Sequence, residues 1–430
     1  MTALRITFTT FGCRVNQYET AMMRRRLIEA HADPSLDVAI INACTVTQLA
    51  ERKARQAARR VRRQRPDARI VVVGCLADAV ARGLTRFDEA DILAGNAWKP
   101  HIVDVVSAVL NGRCGLLDAP EFGRINSERS SVAPGRVRAW LKIQDGCDNA
   151  CSYCRPTQVR GPVRCKELDA AYEEATELVA SGCREIVLTG ISLSQYNGRQ
   201  GENLATLIDK LLTIRQLLRL RIASINPEGI TLDLIEVVAS DPRVCPHFHV
   251  PLQSGDDRVL SRMRRLYTAD EYVETVGRIR RRIPEATLGT DLIVGFPSED
   301  ERAFASTCSI VESVGFSNLH VFRYSDRNGT AAASFPDKVS ATVARDRAAR
   351  LSDLGCAVRD SLLDKRVSTL QDVLVEQQRE QRCRGYTPDY LPVTFSSTAD
   401  VALGTIHRVR ILTHAEGELK GVSDNRYDTG

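Results

Sequence analysis

Cys147, Cys151 and Cys154 fall within one short stretch, Gly146-Cys147-Asp148-Asn149-Ala150-Cys151-Ser152-Tyr153-Cys154. The spacing C-x3-C-x2-C fits inside two turns, so three thiolates can converge on one inorganic centre. Three ligands do not close a structural tetrahedron. A cubane iron–sulfur cluster held by three thiolates instead leaves one iron open to a further ligand. Zinc is the other reading, with Cys165 as its fourth thiolate. The spacing by itself leaves both open.

Val137–Ile143 reads as the strand that leads into this loop. Strand patterns recur at Glu185–Thr189, Arg219–Ser224, Phe248–Val250, Thr287–Val294 and Asn318–Phe322, with helical patterns between them. Six strands joined by helices predict a parallel, barrel-like α/β domain. His247 and His249 alternate on one strand and so share a face. A hydrogen-bonded pair lining the interior is expected of them, rather than a metal site. Cys183, Cys245, Cys308 and Cys356 are scattered and read as packing residues, and Cys114 has no assigned role.

The N-terminal third carries a second cysteine pattern. Ile6–Phe11, Val38–Ile41 and Ile70–Val73 read as strands, and Cys13, Cys44 and Cys75 follow their ends. Helical stretches run from about Glu19 to Ala30 and from about Gln48 to Gln64. Both intervals between these cysteines are 31 residues, one strand–helix repeat each. Parallel strands present their C-terminal ends on one edge of a sheet, where open α/β sheets bind ligands. Free cysteines are also common as small buried residues. Three matching positions favour a second three-cysteine cluster. The helix bearing Arg52, Lys53, Arg55, Arg59, Arg60, Arg62, Arg63 and Arg65 suits either RNA phosphate or a solvated surface.

Residues Gly112–Gly135, with Pro120, Gly123 and Pro134, read as a linker. The expected boundaries are 1–112, a linker over 113–135, a central domain over 136–364, a C-terminal module over 365–423 and a tail over 424–430. In the last module Asp372–Glu376, Leu391–Phe395 and Thr405–Leu412 read as strands, with Gly385, Pro388, Gly404 and Gly417 as turns. About sixty residues suffice for a small five-stranded barrel of oligonucleotide-binding type. Arg379, Arg382, Arg384, Arg408 and Arg410 with Tyr386 and Tyr390 supply charge and stacking faces for RNA.

The chain has 430 residues, 43% of them hydrophobic, enough for two or three cores. No apolar run approaches the roughly 18 residues of a membrane span, and the N-terminus lacks the apolar core of a signal peptide. Thirteen cysteines, an odd number, argue against a disulfide framework and for metal ligation in a reducing cytosol. The net charge of +5 is modest for a nucleic-acid binder, although arginine outnumbers lysine 51 to 8.

The stretch ending Ser152-Tyr153-Cys154 resembles the signature of radical S-adenosylmethionine enzymes. In that family the open iron chelates S-adenosylmethionine, the aromatic residue lies near its adenine, and the barrel is an open, partial one of six strands. Thr10-Phe-Gly-Cys-Arg-Val-Asn-Gln-Tyr-Glu-Thr, Ile41-Asn-Ala-Cys-Thr-Val-Thr and Val73-Gly-Cys-Leu-Ala are similar to the N-terminal domain of the methylthiotransferases, whose cysteines hold an auxiliary cluster. Leu188-Thr-Gly, Cys245-Pro-His-Phe-His-Val-Pro-Leu-Gln-Ser-Gly and Thr290-Asp-Leu-Ile-Val-Gly-Phe-Pro match motifs of the same family in order. Arg160-Gly161 and Arg164 also match its spacing, whereas Arg155-Pro-Thr-Gln departs from it. The C-terminal module resembles the TRAM domain. Its phrase Gly385-Tyr-Thr-Pro-Asp-Tyr-Leu-Pro-Val is closest to the branch that acts on threonylcarbamoyladenosine.

The resemblance implies two [4Fe-4S] clusters, one on Cys13, Cys44 and Cys75 and one on Cys147, Cys151 and Cys154. It places S-adenosylmethionine against Tyr153, Thr189, Gly190, Gln253 and Gly295. It implies methylthiolation at C2 of N6-threonylcarbamoyladenosine, beside the anticodon at position 37 of tRNA, by way of a 5′-deoxyadenosyl radical. No catalytic side chain is expected beyond these sites. Arg384, Tyr386, Tyr390 and Arg408 are the expected RNA contacts. A cytoplasmic monomer supplied with electrons by a flavodoxin-like or ferredoxin-like donor, with no membrane partner, completes the expectation. Isopentenyladenosine in tRNA or a ribosomal-protein aspartate are alternative substrates. A non-catalytic, zinc-stabilised RNA-binding protein is the rival of another class.

Overall fold

The computed structural model describes residues 5–30, 37–132, 136–397 and 400–424. Pro134 of the expected linker and positions 425–430 of the expected tail lie outside the described residues.

The N-terminal unit alternates β1 (Arg5–Thr10), α1 (Arg14–Glu29), β2 (Asp37–Asn42), α2 (Gln48–Gln64), β3 (Arg69–Val73), α3 (Cys75–Ala81), β4 (Ile92–Ala94), α4 (Ile102–Leu110) and β5 (Gly115–Leu116). Its five strands are parallel and in chain order. Strand residues alternate between two cores, so helices cover both faces. Val38, Ile40, Val71 and Val73 meet Met22 and Met23 of α1 and Val105 of α4. Ile41, Ile70 and Val72 meet Ala54 and Ala58 of α2 and Leu76 of α3. The register pairs Thr10 with Asn42 and Asn42 with Val73, which aligns the strand ends that precede the three cysteines. α1 begins five residues earlier than its apolar pattern predicts, because Cys13 itself occupies the N-cap. β5 lies inside the segment read as a linker.

The central unit runs β6 (Arg138–Lys142), β7 (Gln144–Asp145), α5 (Pro156–Val159), β8 (Arg164–Cys165), α6 (Leu168–Ala180), β9 (Glu185–Thr189), α7 (Leu204–Leu212), β10 (Arg219–Ile222), α8 (Leu232–Ser240), β11 (His247–His249), α9 (Asp257–Arg262), α10 (Ala269–Arg282), β12 (Thr287–Val294), α11 (Glu301–Val314), β13 (Asn318–Arg323) and α12 (Ala341–Asp364). β6, β9 and β10 form one parallel sheet and β11, β12 and β13 another. Parallel bridges Leu220–Val244 and Ser224–His249 join the two into a curved six-stranded wall. Thr268 and Glu271 form a reciprocal capping box on α10, and Asp300 caps α11. Phe248, Leu288, Leu292 and Val294 bury toward the helices, so His249, Gly289 and Asp291 face the interior.

β14 (Leu370–Arg379), β15 (Arg382–Tyr386), β16 (Pro392–Ser396), β17 (Ile406–Ala415) and β18 (Glu418–Ser423) close a five-stranded barrel. Two expectations are corrected here. Gly385 lies inside β15 and is not a turn: a Cβ on it would stand 2.0 Å from the Leu374 carbonyl oxygen, so glycine permits the close strand approach. Asp424 does not start a tail, since its N–H donates to the Arg408 carbonyl at 2.9 Å and its carboxylate pairs with Arg410 at 3.1 Å.

Candidate active site

The N-terminal cysteines meet at the C-terminal edge of their sheet. Cys13 is exposed at the rim, with Cys44 and Cys75 buried behind it. Gly12, at φ +103°, has no room for a side chain, since a Cβ there would lie 2.6 Å from Cys44 Cβ. Val46 N–H donates to Cys44 Sγ at 3.4 Å, and the Asn96 amide donates to Cys75 Sγ at 3.5 Å. Burial pushes the Cys44 thiol up to about 12, and neighbouring Cys75 and Cys13 add to the shift. The three sulfurs therefore share one electrostatic field.

The central loop is held open by backbone bonds around the cysteines. Gln144 donates to the Gly146 carbonyl at 2.7 Å and accepts from Ser192 N–H at 2.8 Å. Gly146 takes φ +74°, and a Cβ on it would reach Pro162 O at 2.0 Å. Ser152 bonds Met263 O through its N–H at 3.0 Å and Arg262 O through its hydroxyl at 2.7 Å. Arg265 donates to Cys151 Sγ at 3.4 Å and to Asn226 Oδ1 at 2.8 Å. Burial first, then Cys151, pushes the Cys154 thiol up to about 12. The unusual Arg155-Pro-Thr-Gln stretch forms α5, with Pro156 in its first turn and Arg155 donating to Asn328 O at 2.6 Å.

These donor sets fit iron–sulfur clusters better than zinc. A tetrahedral zinc at about 2.3 Å from each sulfur holds its sulfurs about 3.8 Å apart. Among the described residues, the three-residue group whose ligand atoms lie within 4.8 Å is His249, Asp291 and His320, and neither cysteine triplet closes that far. A wider centre than one ion suits both triplets. Buried thiols near 12 stay protonated at neutral pH until a metal centre ionises them. Cys165 has partners of its own, donating to Gln195 O at 3.5 Å and accepting from Asn197 N–H at 3.4 Å.

Arg160, six residues past Cys154, links the two triplets. It is 1% exposed and donates to Asn16 at 2.5 Å and to Glu19 at 2.6 Å, both on α1 just after Cys13. Burial opposes its charge, but Cys75, Glu19, Asp145 and Cys13 hold it well above its ordinary value. Lys99 and Lys142 also pair with Glu19, and Lys142 pairs with Glu128 at 2.5 Å. Despite burial, Arg160, Lys99 and Lys142 hold the Glu19 carboxyl well below its usual range. Arg327 adds a second bridge, donating to Thr45 O at 2.8 Å beside Cys44 and pairing with Glu51.

The expected cofactor contacts are distributed around the loop. Tyr153 packs edge-on to Phe296 at 6.3 Å in an aromatic group with Tyr324 and Phe335. Thr189 is buried at the end of β9, and Gly190 lies where a Cβ would stand 2.8 Å from Gln144 Oε1. Gln253 adopts φ +66° and donates its N–H to Asp291 O at 2.8 Å. Gly295 meets α12, where a Cβ would lie 2.5 Å from Ala344 Cβ. Spacing marks Arg160 without giving it a role and does not mark Arg265, Gln144 or Asn96, whose partners are remote in sequence or lie in the backbone.

The expected RNA residues separate into two groups. Tyr386 and Tyr390 stack at 5.0 Å, and Arg138 and Arg221 lie over Tyr390 at 5.3 and 4.4 Å. This pair joins the small barrel to β6 and β10. Arg384 and Arg408 stand about half exposed, paired with Glu418 at 2.9 Å and Asp372 at 3.5 Å. On the arginine-rich α2, Arg55 and Arg59 pair with Glu89 and Arg62 with Asp91, which favours a solvated surface. His247 and His249 take different partners: His247 bonds Thr287 at 2.8 Å and packs at a tilt against Tyr390, while His249 faces Asp291.

Residues 141–310 match the Radical SAM superfamily, and residues 5–95 match the uncharacterized protein family UPF0004. The chain is 33% identical, over 95% of its length and 93% of the other, to the threonylcarbamoyladenosine tRNA methylthiotransferase MtaB of Bacillus subtilis. It is 35% identical to the tRNA-2-methylthio-N(6)-dimethylallyladenosine synthase of Syntrophobacter fumaroxidans, over 96% of this chain and 94% of that one. Its fold is similar to that of the radical S-adenosylmethionine methyltransferase TsrM of Kitasatospora setae, with a TM-score of 0.54, 15% identity and coverage of 76% and 75%. The cobalamin-dependent radical enzyme OxsB gives a TM-score of 0.52 at 9% identity, covering 82% of this chain and 56% of that one. No helix among the described residues is long and apolar enough to cross a membrane. Sequence motifs, paired cysteine edges and full-length relatives agree, and the chain belongs to the radical S-adenosylmethionine methylthiotransferases, enzymes that use S-adenosylmethionine and [4Fe-4S] clusters.

Proposed function

We propose that this enzyme adds a methylthio group at C2 of N6-threonylcarbamoyladenosine at position 37 of tRNA. The observation that carries the reading is the burial of Arg160 between the edge bearing Cys13 and Cys75 and the loop bearing Cys154. It ties the helix that Cys13 caps to the segment after Cys154, and sulfur insertion beside a radical site needs the two triplets near one another. Cys147, Cys151 and Cys154 would hold the cluster that binds S-adenosylmethionine, and Cys13, Cys44 and Cys75 the auxiliary one. When bound, these groups supply reductive cleavage of S-adenosylmethionine, hydrogen abstraction and sulfur delivery.

The chain's own residues position and enclose. Tyr153 offers an aromatic edge to the adenine of the cofactor. Thr189, Gly190 and Gln253 present backbone at the mouth, and Gly295 shapes the turn after β12. Arg265 sets the charge beside Cys151. Arg384 and Arg408 face the tRNA backbone, and an anticodon-loop base reaches the site without a duplex having to open. The domain limits are those expected, except that β5 is assigned to the N-terminal unit and Asp424 to the C-terminal barrel, and a monomer served by a small electron-transfer protein completes the reading.

Relatives named for threonylcarbamoyladenosine and for dimethylallyladenosine are similarly identical to this chain, so overall identity does not choose the branch. The phrase Gly385–Val393 favours the first. Mass spectrometry of tRNA nucleosides from a deletion strain tests it. The expected result is loss of the 2-methylthio derivative with accumulation of threonylcarbamoyladenosine. Loss of the methylthio group from isopentenyladenosine instead overturns the substrate assignment.

A further inference from the structure

β11, β12 and β13 carry a side-chain cluster that neither cysteine triplet uses. His249 pairs with Gly289 in register and Asp291 with His320, so three neighbouring strands place three side chains on the interior face. His249 Nε2 and His320 Nδ1 each stand 3.0 Å from Asp291 Oδ1. The imidazole centroids are 5.1 Å apart and tilted by 35°. Gly289 makes the room, because a Cβ there would lie 2.8 Å from His249 Nδ1.

The charge environment is unusual for a carboxylate facing a barrel interior. Burial would raise the Asp291 carboxyl, yet hydrogen bonds from His249 and His320 hold it well below the usual carboxylate range. Its side-chain partners are two imidazoles, which are common metal ligands. His320 Nε2 lies 2.9 Å from the Asn318 amide, the kind of outer contact that fixes a ligating imidazole.

The distances are also those of ligands that share one ion. Two ligand atoms at about 2.1 Å from one ion and about 90° apart are separated by about 3.0 Å. Both histidine–carboxylate separations equal 3.0 Å, and all three ligand atoms lie within 4.8 Å of one another. Two imidazoles and one carboxylate on one triangular face suit a borderline divalent ion such as Mn2+, Fe2+ or Zn2+ and leave other positions open. The His320 side chain is 49% exposed on the edge strand, which leaves the cluster an entry path from the open side of the wall.

We infer that His249, Asp291 and His320 form a binding site for a divalent first-row transition-metal ion on the interior face of the central barrel, separate from both iron–sulfur sites. Its open positions face the lumen, where an anionic oxygen group of a substrate can reach them. The site stands on geometry alone and does not depend on which tRNA base is modified.

The test uses the reconstituted, cluster-loaded enzyme under anaerobic conditions. Mn2+ is titrated while the electron paramagnetic resonance signal of the free ion is followed, and Zn2+ is titrated by calorimetry. One equivalent of at least one ion should bind in the wild type. Asp291→Asn and His320→Gln should each weaken that site at least tenfold, with iron and sulfide contents unchanged. His320→Gln lies on an exposed edge and should fold even where Asp291→Asn does not. Binding of neither ion, or binding indifferent to His320→Gln, makes the cluster a hydrogen-bonded triad only and overturns the assignment.

Discussion

Arg160 donates to Glu19 at 2.6 Å, although 141 residues separate them and both are almost wholly buried. One end of this bond follows the central cysteine loop and the other lies on the helix that Cys13 caps. The bond therefore ties together the two elements that carry the cysteine triplets. Around it Lys99, Lys142, Arg160 and Arg164 face Glu19, Asp145 and Glu128, so four cations surround three buried carboxylates.

Removing one member of such a group leaves an uncompensated buried charge, which costs about 3–5 kcal/mol. Arg160→Ala should lower stability by that amount in chemical denaturation. Arg160→Lys should recover part of the loss, because a cation again faces Glu19. A lysine variant no better than Arg160→Ala would contradict the pairing.

The two cysteine triplets make separable claims. Two cubane clusters bring iron and sulfide to about eight each per chain. Replacing Cys13, Cys44 and Cys75 with Ala should remove half of each and stop methylthio product, yet leave cleavage of S-adenosylmethionine measurable. Replacing Cys147, Cys151 and Cys154 should abolish that cleavage. Equal loss of both activities in the two triple variants counts against separate roles.

Tyr390 belongs to the joint between barrel and central wall, packed under Arg221 at 4.4 Å and bonded to Arg138 at 3.4 Å. Tyr390→Ala should cost up to about 3 kcal/mol, as truncation of a half-buried aromatic, and expose the segment after Asp364 to limited proteolysis. Tyr390→Leu should restore much of the packing without the cation contact. An unchanged digestion pattern together with weakened tRNA binding would return Tyr390 to the RNA face.

Much of this architecture was legible because strand ends and cysteines are local signals. Cys13, Cys44 and Cys75 follow hydrophobic runs at a fixed interval, and register alone aligns them. β9 and β12 were read with their observed limits because each is a bounded apolar run. β15 and β18 carry a weak strand signal, since Gly385 and Gly421 occupy inward positions where an apolar side chain would mark the alternation. Gly385 reads as a turn in sequence because its close neighbour, Leu374, lies on another strand. Arg265 carries no local sign of its function, as its partner Cys151 is 114 residues away.

Glu185 supplies a pH dependence. It is fully buried on β9, where Arg221 and Arg138 hold its carboxyl down at about 2 against the opposing effect of burial. An unfolded glutamate titrates near 4.3. The unfolded chain therefore binds the proton more readily, and the stabilisation is complete above the unfolded value and lost as pH falls toward 2. The contribution at neutral pH is about 3 kcal/mol. Urea midpoints of the cluster-free chain should fall between about pH 5 and pH 3, and Glu185→Gln should flatten that slope. A slope unchanged by the substitution would assign the acid sensitivity to other carboxylates.

Cys165 separates the iron–sulfur reading from the zinc one. A zinc site needs it as fourth thiolate, whereas a cluster that binds S-adenosylmethionine must leave its fourth iron open. In the fold its sulfur is occupied by Gln195 O and Asn197 N–H, at 3.5 and 3.4 Å. A hydroxyl can make both bonds, so Cys165→Ser should keep full iron content and near-normal activity. Cys154→Ser is the contrast, because its thiol faces Cys151 and Cys147 and it should lose the central cluster. Equal metal loss in the two variants would place Cys165 in the ligand set and remove the open iron on which radical chemistry depends.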